Sequence, residues 1–231
     1  MNRLTWLSDS DDPEWFPAPE RALKDPEGLL AAGGDLSPRR LLSAYAHGIF
    51  PWYAPSQPIL WWSPDPRMVL FPAEFRCSRS LAKTLRNGPY RTRLDGNFAA
   101  VIRACSEPRR SGPGTWLDEP MMAAYGELHR LGHAHSVETY VDDVLVGGLY
   151  GVHLGGVFFG ESMFSRARDA SKAALARLVQ ESHARGIRLI DCQVASAHLN
   201  SLGARDIPRR EFLRLLRDGA RPSPSNWAQI A

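Results

Sequence analysis

Two short apolar segments in the second half of the chain have the length and the borders of buried β-strands. They span residues 157–161 and 189–194, and glycine or polar residues lie at their borders. Between them, Asp169 or Ser171 can begin a helix that carries apolar residues at helical spacing and stops at Gly186. A strand, a crossover helix and a second strand in this order predict a parallel pair of strands.

From residue 67 onward the apolar pattern predicts further strands and helices. We expect strands at residues 68–71, 90–94, 136–141, 144–152 and 157–160, and helices at 78–88, 97–105, 118–131 and from Pro208 onward. The strands before the crossover helix are separated by short turns, which is typical of antiparallel pairs. The predicted fold class is α+β, with a mostly antiparallel sheet and one parallel strand pair.

The first 65 residues are a different kind of segment, rich in proline, glycine and tryptophan. One clear helix runs from its cap at Ser37 to Gly48. We therefore predict a small N-terminal domain at residues 1–65 and a larger domain at residues 66–217. Residues 218–231 contain alternating prolines and serines and are predicted to be a flexible tail.

The composition of the chain restricts its class and its location. Its 231 residues are 44% hydrophobic, which is enough for a large core, and they contain no apolar run of about 18 residues that could span a membrane. The start of the sequence lacks the basic and apolar segments of a signal peptide, so a cytoplasmic location and no membrane partner are expected. The three cysteines lie far apart, which argues against a disulfide framework or a zinc site.

The net charge of +3 is distributed unevenly along the chain. Residues 1–36 carry three basic and eight acidic residues, a net charge of −5, whereas residues 76–110 carry nine basic and two acidic residues, a net charge of +7. In the basic region Arg79, Lys83 and Arg86 recur at helical spacing and predict a stripe suited to a phosphate backbone. A solvated helix face is the alternative for any single stripe. A second stripe in the last predicted helix favours a nucleic-acid partner.

Three polar side chains lie on the two strands that border the crossover helix. Glu161 is expected at the carboxyl end of the first strand, and Asp191 and Gln193 share one face of the second. Two carboxylates and an amide can therefore converge beside apolar residues, as a site for a charged nucleophile and an apolar acyl group requires. A capped or paired structural carboxylate is the alternative for Asp191.

Tryptophan residues in loops bounded by glycine and proline are a second candidate feature. Trp52 and Trp116 lie in such loops, and Trp116 follows two arginines. Side chains of this kind can stack on nucleobases. Core packing is the alternative for both, and it is what we expect for the neighbouring Trp61 and Trp62.

Nine segments follow one another in a fixed order between residues 28 and 210, within a resemblance that extends from about Phe16 to Leu216. They are residues 28–38 (GLLAAGGDLSP), 48–52 (GIFPW), 61–67 (WWSPDPR), 114–116 (GTW), 132–136 (GHAHS), 147–151 (GGLYG), 160–165 (GESMFS), 189–193 (LIDCQ), and 201–204 (SLGA) with 207–210 (IPRR). These segments closely resemble those of the bacterial leucyl/phenylalanyl-tRNA-protein transferases. The resemblance implies a small N-terminal domain joined to an acyltransferase domain of the GNAT type.

The resemblance also implies an activity and its partners. Members of this family move Leu or Phe, and less well Met, from aminoacyl-tRNA onto proteins that begin with Arg or Lys. That transfer marks the acceptors for degradation by the N-degron pathway. No cofactor and no metal are expected for this reaction, and the chain is expected to act as a monomer.

Carried over residue by residue, the resemblance implies a role for each candidate side chain. Asp191 and Gln193 become the catalytic pair, and Glu161 becomes a partner of the acceptor's amino terminus. The remaining implied contacts are the stacking partners of the terminal adenosine (Trp52, Trp116), the aminoacyl pocket (Leu149, Phe158, Met163, Leu178) and the tRNA-binding stripe (Arg79, Lys83, Arg86).

The chain departs from the family pattern at a few of these places. Leu149 stands where methionine is expected, and Leu178 and Ser182 stand where larger aromatic residues are expected. Arg86 is followed by asparagine where a doubly basic pair is common. These departures bear on the preference between Leu and Phe and on the tRNA contact rather than on the fold.

Two other classes of function are alternatives. An acyltransferase that uses acetyl-coenzyme A would need a glycine-rich run that cradles pyrophosphate, and residues 162–170 lack it. A non-catalytic RNA-binding protein would explain the basic stripes and the tryptophans but not the converging carboxylates. His133 and His135 have a spacing that metal sites use, yet without an evident third ligand a structural role is favoured.

Overall fold

The computed structural model describes residues 3–108, 117–219 and 227, and its N-terminal part contains a four-stranded sheet. The strands are β1 (Thr5–Leu7), β2 (Leu29–Gly33), β3 (Phe50–Pro51) and β4 (Leu60–Trp62), in the order β1-β2-β4-β3. Helix α1 (Pro38–Ala46) begins at Ser37, whose side chain accepts a hydrogen bond from the Arg40 backbone N–H. The helix was predicted from the sequence, but these short strands were not.

The second sheet has seven strands and contains the predicted parallel pair. Its strands are β5 (Arg67–Leu70), β6 (Arg91–Leu94), β7 (Ala134–Val141), β8 (Val144–Leu154), β9 (Val157–Ser165), β10 (Leu189–Gln193) and β11 (Arg205–Ile207). The spatial order is β11-β5-β10-β9-β8-β7-β6, and β9 and β10 are its parallel neighbours. The other neighbouring strands pair antiparallel. The α+β fold class with one parallel pair is therefore confirmed.

Six helices accompany this sheet in the described part of the chain. They are α2 (Arg79–Asn87), α3 (Phe98–Ser106), α4 (Glu119–Arg130), α5 (Ala170–Glu181), α6 (Ala197–Ser201) and α7 (Arg209–Gly219). The side chains of Ser78, Asn97 and Asp118 cap the first three, as their sequence positions indicate. Asp169 precedes α5 but makes no capping bond; it has a left-handed φ of 60° and pairs with Lys172 instead. None of the described helices is long and apolar enough to cross a membrane.

The two faces of the seven-stranded sheet bury different sets of side chains. One face packs against α1, α3, α4 and α7 through residues such as Leu41, Val101 and Phe212. The other face packs against α2 and α5 through residues such as Leu81 and Leu178. Because side chains alternate along a strand, neighbouring residues of β9 belong to different faces. This division places apolar and polar candidates on opposite sides of the sheet.

The prediction of a flexible tail is wrong at Trp227. This residue is buried, and its ring stacks on His135 with centroids 4.2 Å apart and an interplanar angle of 8°. Its indole nitrogen donates to His153 Nδ1 at 3.2 Å, and the Arg185 guanidinium lies 4.5 Å from its ring. The proline- and serine-rich composition of the segment does not indicate that one tryptophan within it packs against aromatic and apolar side chains.

Candidate active site

Both strands of the parallel pair carry a β-bulge next to the point where their pairing ends. The parallel register ends at Asp191 opposite Phe159. On β9 the pairing with β8 skips Glu161, and on β10 the pairing with β5 shifts between Asp191 and Gln193. Bulges re-aim side chains, and here Gln193 Nε2 donates to Glu161 Oε1 at 3.0 Å.

This arrangement corrects the expected position of Glu161. The sequence placed it at the carboxyl end of its strand, but β9 continues to Ser165 because β8 still pairs with it. Glu161 instead lies just beyond the part of β9 that pairs with β10. Gln193 has a φ of 64°, a left-handed conformation that the bulge imposes. The structure thus brings Glu161, Asp191 and Gln193 together, through bulges that the pattern of residues did not indicate.

Asp191 is held by a buried arginine. Arg67 Nε and Nη2 donate to the two oxygens of Asp191 at 2.8 and 2.6 Å, and both side chains have no exposed surface. The backbone N–H of Gln193 donates to Asp191 Oδ1 at 3.0 Å. Both carboxylate oxygens therefore accept hydrogen bonds, and one of these bonds fixes the backbone that carries Gln193.

Arg67 also joins the two sheets. Its Nη1 donates to the carbonyl oxygen of Gly48 at 3.0 Å, and its guanidinium lies 4.8 Å from the Phe50 ring and 4.5 Å from the Phe212 ring. Sequence reasoning missed this residue. The available signal was a charged residue at the start of an otherwise apolar strand, residues 67–70, which all lie buried.

Glu161 is buried and lies among tyrosines. Tyr125 Oη donates to Glu161 Oε2 at 2.7 Å, and the hydroxyls of Tyr45 and Tyr125 lie 2.7 Å apart. Burial raises the pKa of Glu161 to about 7, and the hydrogen bond from Tyr125, followed by the influence of the Tyr45 hydroxyl beside it, opposes that rise. Both phenols also have raised pKa values, chiefly because of burial and then because of Glu161.

The predicted aminoacyl-pocket residues lie together on the opposite face of the sheet. Leu149, Phe158 and Leu178 are buried in one cluster with α5, and Met163 is half-buried against it. Tyr150 and Phe159, the strand neighbours of Leu149 and Phe158, belong to the cluster on the Glu161 face. The apolar set and the polar set therefore lie on opposite faces of the sheet, close to the point where the pairing of β9 and β10 ends.

The structure describes only one of the two tryptophans predicted to stack on adenosine. Trp52 is 46% exposed, with its ring 5.8 Å from the Trp62 ring. Trp62 is half-buried, and its indole nitrogen donates to the Trp52 carbonyl oxygen at 2.6 Å. Trp61 is buried against Phe16, as expected for a core residue. Trp116 lies outside the described residues.

The predicted tRNA-binding stripe is exposed on α2. Arg79, Lys83 and Arg86 are all exposed, while Leu81 on the same helix is buried. In the part of the chain that the structure describes, no carboxylate lies within ion-pairing distance of these three side chains. On α7, by contrast, Arg214 pairs with Asp218 at 3.4 Å. The α2 stripe is therefore available to an external anion.

A histidine cluster lies on β7 and beside it, and it includes partners that the sequence did not indicate. Asp95, His129 and His135 have ligand atoms within 4.8 Å of one another. His135 Nδ1 contacts Asp95 Oδ2 at 2.7 Å, and His129 Nδ1 contacts the Ala134 carbonyl oxygen at 2.8 Å. These bonds and the stack of Trp227 on His135 account for the cluster as a structural element.

Comparison with known proteins places the chain beside aminoacyl transferases. It matches the family profile described as "Leucyl/phenylalanyl-tRNA protein transferase" over residues 69–217, and the profile of that family's N-terminal domain over residues 34–65. It is 59% identical to the leucyl/phenylalanyl-tRNA–protein transferase of Nitrosospira multiformis, over 93% of this chain and 91% of that protein. For the protein of the same name from Pseudomonas syringae pv. syringae the identity is 57%, over 97% and 98%. A solved GCN5-related N-acetyltransferase from Kribbella flavida aligns with a TM-score of 0.42 at 13% identity, over 74% of this chain and 61% of that one.

Proposed function

The chain belongs to the leucyl/phenylalanyl-tRNA–protein transferase family, and we propose that it transfers Leu or Phe, and less well Met, to acceptors that begin with Arg or Lys. The donor is the aminoacyl ester of tRNA, and the product is a protein extended by one residue through a new peptide bond. The extended proteins are then recognised by the N-degron pathway, in the cytoplasm.

The observation that carries this proposal is that a polar and an apolar set of side chains lie on opposite faces of the sheet at the point where the pairing of β9 and β10 ends, here called the gap. Glu161 and Gln193 contact each other on one face of the sheet. Leu149, Phe158 and Leu178 form part of the apolar cluster on the other face. An apolar aminoacyl side chain can lie on the α5 face while a cationic amino terminus approaches from the face of Glu161.

The chemistry requires positioning more than activation. An aminoacyl ester is already reactive, so the enzyme must hold a neutral amine against the carbonyl carbon and stabilise the oxyanion that forms. Gln193 offers an amide that can orient the amine or donate to the oxyanion. Asp191, whose oxygens bind Arg67 and the Gln193 backbone, acts by orienting Gln193. No covalent enzyme intermediate is needed.

The acceptor is selected by charge. An amino-terminal Arg or Lys brings positive charge, and a buried carboxylate discriminates against side chains that would leave it unpaired. Glu161 lies 9% exposed at the gap, where it can meet such a group. On the tRNA side, the α2 stripe binds phosphates and Trp52, together with Trp116, stacks on the terminal adenosine.

The start of α5 argues against coenzyme A as the donor. Enzymes that bind its pyrophosphate leave a helix N-terminus free for the anion. Here the Ser171 backbone N–H already donates to Ser165 Oγ at 3.2 Å. The carboxylate of Asp169 lies at the same helix end and pairs with Lys172 at 2.7 Å. A second anion would be repelled from this position.

The test is a transfer assay followed by mass spectrometry. The protein is incubated with Leu-, Phe- or Met-tRNA and with peptides that differ only in beginning with Arg, Lys or Ala. We expect a mass increase of one residue on the Arg and Lys peptides, largest with Leu or Phe, and none on the Ala peptide. Acetylation of the same peptides by acetyl-coenzyme A, or tRNA binding without transfer, would contradict the proposal.

A further inference from the structure

We propose that Glu161, supported by the hydroxyls of Tyr125 and Tyr45, is the group that takes the proton from the attacking amine and returns it to the leaving ribose oxygen. This inference rests on the proposed function and adds a proton-transfer role to a residue assigned above only to acceptor recognition. Tyr125 and Tyr45 act through Glu161 and are positioning residues.

The first argument is the remaining hydrogen-bonding capacity of the two carboxylates. Asp191 Oδ1 already accepts hydrogen bonds from Arg67 Nε and the Gln193 backbone, and Oδ2 accepts one from Arg67 Nη2. A carboxylate has about four acceptor positions. Placing a proton on Asp191 would also discharge one half of a fully buried ion pair, which is strongly unfavourable. Asp191 is therefore poorly suited to accept a proton.

Glu161 differs from Asp191 both in its remaining acceptor positions and in the kind of group that donates to it. Its oxygens accept hydrogen bonds from Tyr125 and from Gln193 Nε2, so each retains a further acceptor position. Its hydrogen-bond donors are a phenol and an amide, and no salt bridge has to break when it becomes neutral. Gln193 links Glu161 to the place where the amine is proposed to lie.

Hydrogen bonds from the tyrosines fix the orientation of the Glu161 carboxylate. Tyr125 Oη donates its one proton to Glu161, so the contact between the two phenols must be a donation from Tyr45 to Tyr125. Tyr45 lies on helix α1 in the N-terminal part of the chain, and Tyr125 lies on helix α4. The resulting chain of three groups holds the Glu161 side chain from two separate helices.

The charged and titratable groups around Glu161 come from five elements. They are Tyr45 of α1, Arg67 of β5, Tyr125 of α4, Tyr150 of β8 and Asp191 of β10. Burial raises the pKa of Glu161 to about 7 and the charge of Asp191 adds to the rise, while the phenols and Arg67 oppose it. A carboxyl group with such a pKa can both accept and release a proton near neutral pH.

The step balances without any added reagent. The neutral amine nitrogen attacks the ester carbonyl carbon, and the carboxylate of Glu161 takes one proton from that nitrogen. The bond between the carbonyl carbon and the ribose oxygen then breaks, and the proton passes from Glu161 to the departing oxygen, directly or through the neighbouring ribose hydroxyl. One peptide bond replaces one ester bond, and Glu161 is ionised again at the end.

The test is the pH dependence of single-turnover transfer at saturating peptide. For the wild-type protein we expect the rate to rise with pH around an apparent pKa near 7. Glu161→Gln should lower the rate at saturating peptide by about 10²-fold and remove the rise near pH 7, leaving only the later rise from ionisation of the peptide amine, whose pKa is about 8. Tyr125→Phe removes a bond that stabilises the carboxylate, so the midpoint should move to higher pH and the rate should fall more at pH 6.5 than at pH 8.5. Tyr140→Phe, a change on the half-buried edge of β7, is the matched control and should leave the profile unchanged.

A second measurement does not depend on these variants being active. Infrared difference spectra of the free wild-type protein between pH 6 and pH 8 should show the band of a protonated carboxyl group that titrates near 7, and Tyr125→Phe should shift its midpoint upward. If no such band titrates, or if Glu161→Gln raises only the KM for the peptide and keeps the rate and its pH profile, the inference is overturned while the proposed function stands. A wild-type protein that transfers no amino acid at any pH would overturn both.

Discussion

At the scale of single residues, the Arg67–Asp191 pair determines how strand β10 is held. Both side chains are fully buried, and the guanidinium lies between two aromatic rings. Asp191 stood out in the sequence because an aspartate inside an apolar strand is unusual. Arg67 did not, because one arginine at the edge of a predicted strand is commonly exposed. The partner of Asp191 is 124 positions away in the chain, and only the folded structure brings it there.

Replacement of Arg67 by methionine should strongly destabilise the protein. The change leaves Asp191 as a buried charge without its partner, which costs about 3 to 5 kcal/mol. The free energy of unfolding, measured with denaturant, reports this loss. Arg39→Met is the matched control because Arg39 and Glu14 form an exposed pair, and it should have little effect.

A double variant separates the structural from the functional contribution of this pair. Arg67→Met combined with Asp191→Leu removes both charges and should recover much of the stability, since apolar side chains can replace a buried ion pair. Transfer should remain low because the Gln193 backbone loses the oxygen that orients it. Wild-type transfer by the double variant would show that Asp191 does not position Gln193.

Glu161→Gln should raise the KM for peptides that begin with Arg or Lys. The change removes the negative charge that is proposed to read the acceptor, while the tRNA stripe and the apolar cluster stay intact. Binding of aminoacyl-tRNA, measured by filter retention, should be nearly unchanged. Loss of tRNA affinity together with an unaltered peptide KM would show that Glu161 does not select the acceptor.

At the scale of elements, helices were predictable and bulges were not. The helix caps Ser78, Asn97 and Asp118 could be predicted, because a short polar side chain directly before an apolar pattern of helical spacing is typical of an N-cap. The bulges at Glu161 and after Asp191 depend on how four strands pair, β8 with β9 and β5 with β10, and no local sequence pattern indicates this. The strands of the first sheet are two to five residues long, too short for an alternating pattern to show.

Helix α2 carries the electrostatic prediction. If its stripe binds phosphates, the affinity for tRNA should fall with salt, and Lys83→Ala should reduce the slope of log affinity against log salt by about 0.7 to 0.9. Arg214→Ala on α7 is the control, because Arg214 already pairs with Asp218. Equal slopes for the wild-type protein and Lys83→Ala would identify the stripe as a solvated face.

At the scale of the whole molecule, residues far apart in the chain tie its parts together. Arg67 binds the Gly48 carbonyl oxygen next to the first sheet, and Tyr45 reaches Tyr125 across the same boundary. The Trp227 side chain packs on His135 of the seven-stranded sheet. Most helices and strands of the second sheet were predicted from the sequence, but α6 and β11 were not. The long-range contacts were not predicted either, because the local pattern around each residue does not identify its partner.

Removal of the Trp227 side chain should reveal how much the packing of this residue contributes to the free energy of unfolding. Trp227→Ala deletes a buried aromatic ring, and such deletions cost about 3 to 5 kcal/mol. The unfolding free energy should therefore fall well below that of Trp15→Ala, which changes a residue that is 50% exposed. Equal stability of the two variants would show that the packing of Trp227 does not stabilise the fold.

The central claim is that the acyl group and the acceptor amine meet at the gap between β9 and β10 from opposite faces of the sheet. A crystal structure with a stable amide analogue of phenylalanyl-adenosine tests it most directly. We expect the phenyl ring to lie on the α5 face against Leu149, Met163 and Leu178, with the carbonyl group beside Gln193. A phenyl ring bound on the other face, among Tyr45, Tyr125 and Glu161, would contradict it.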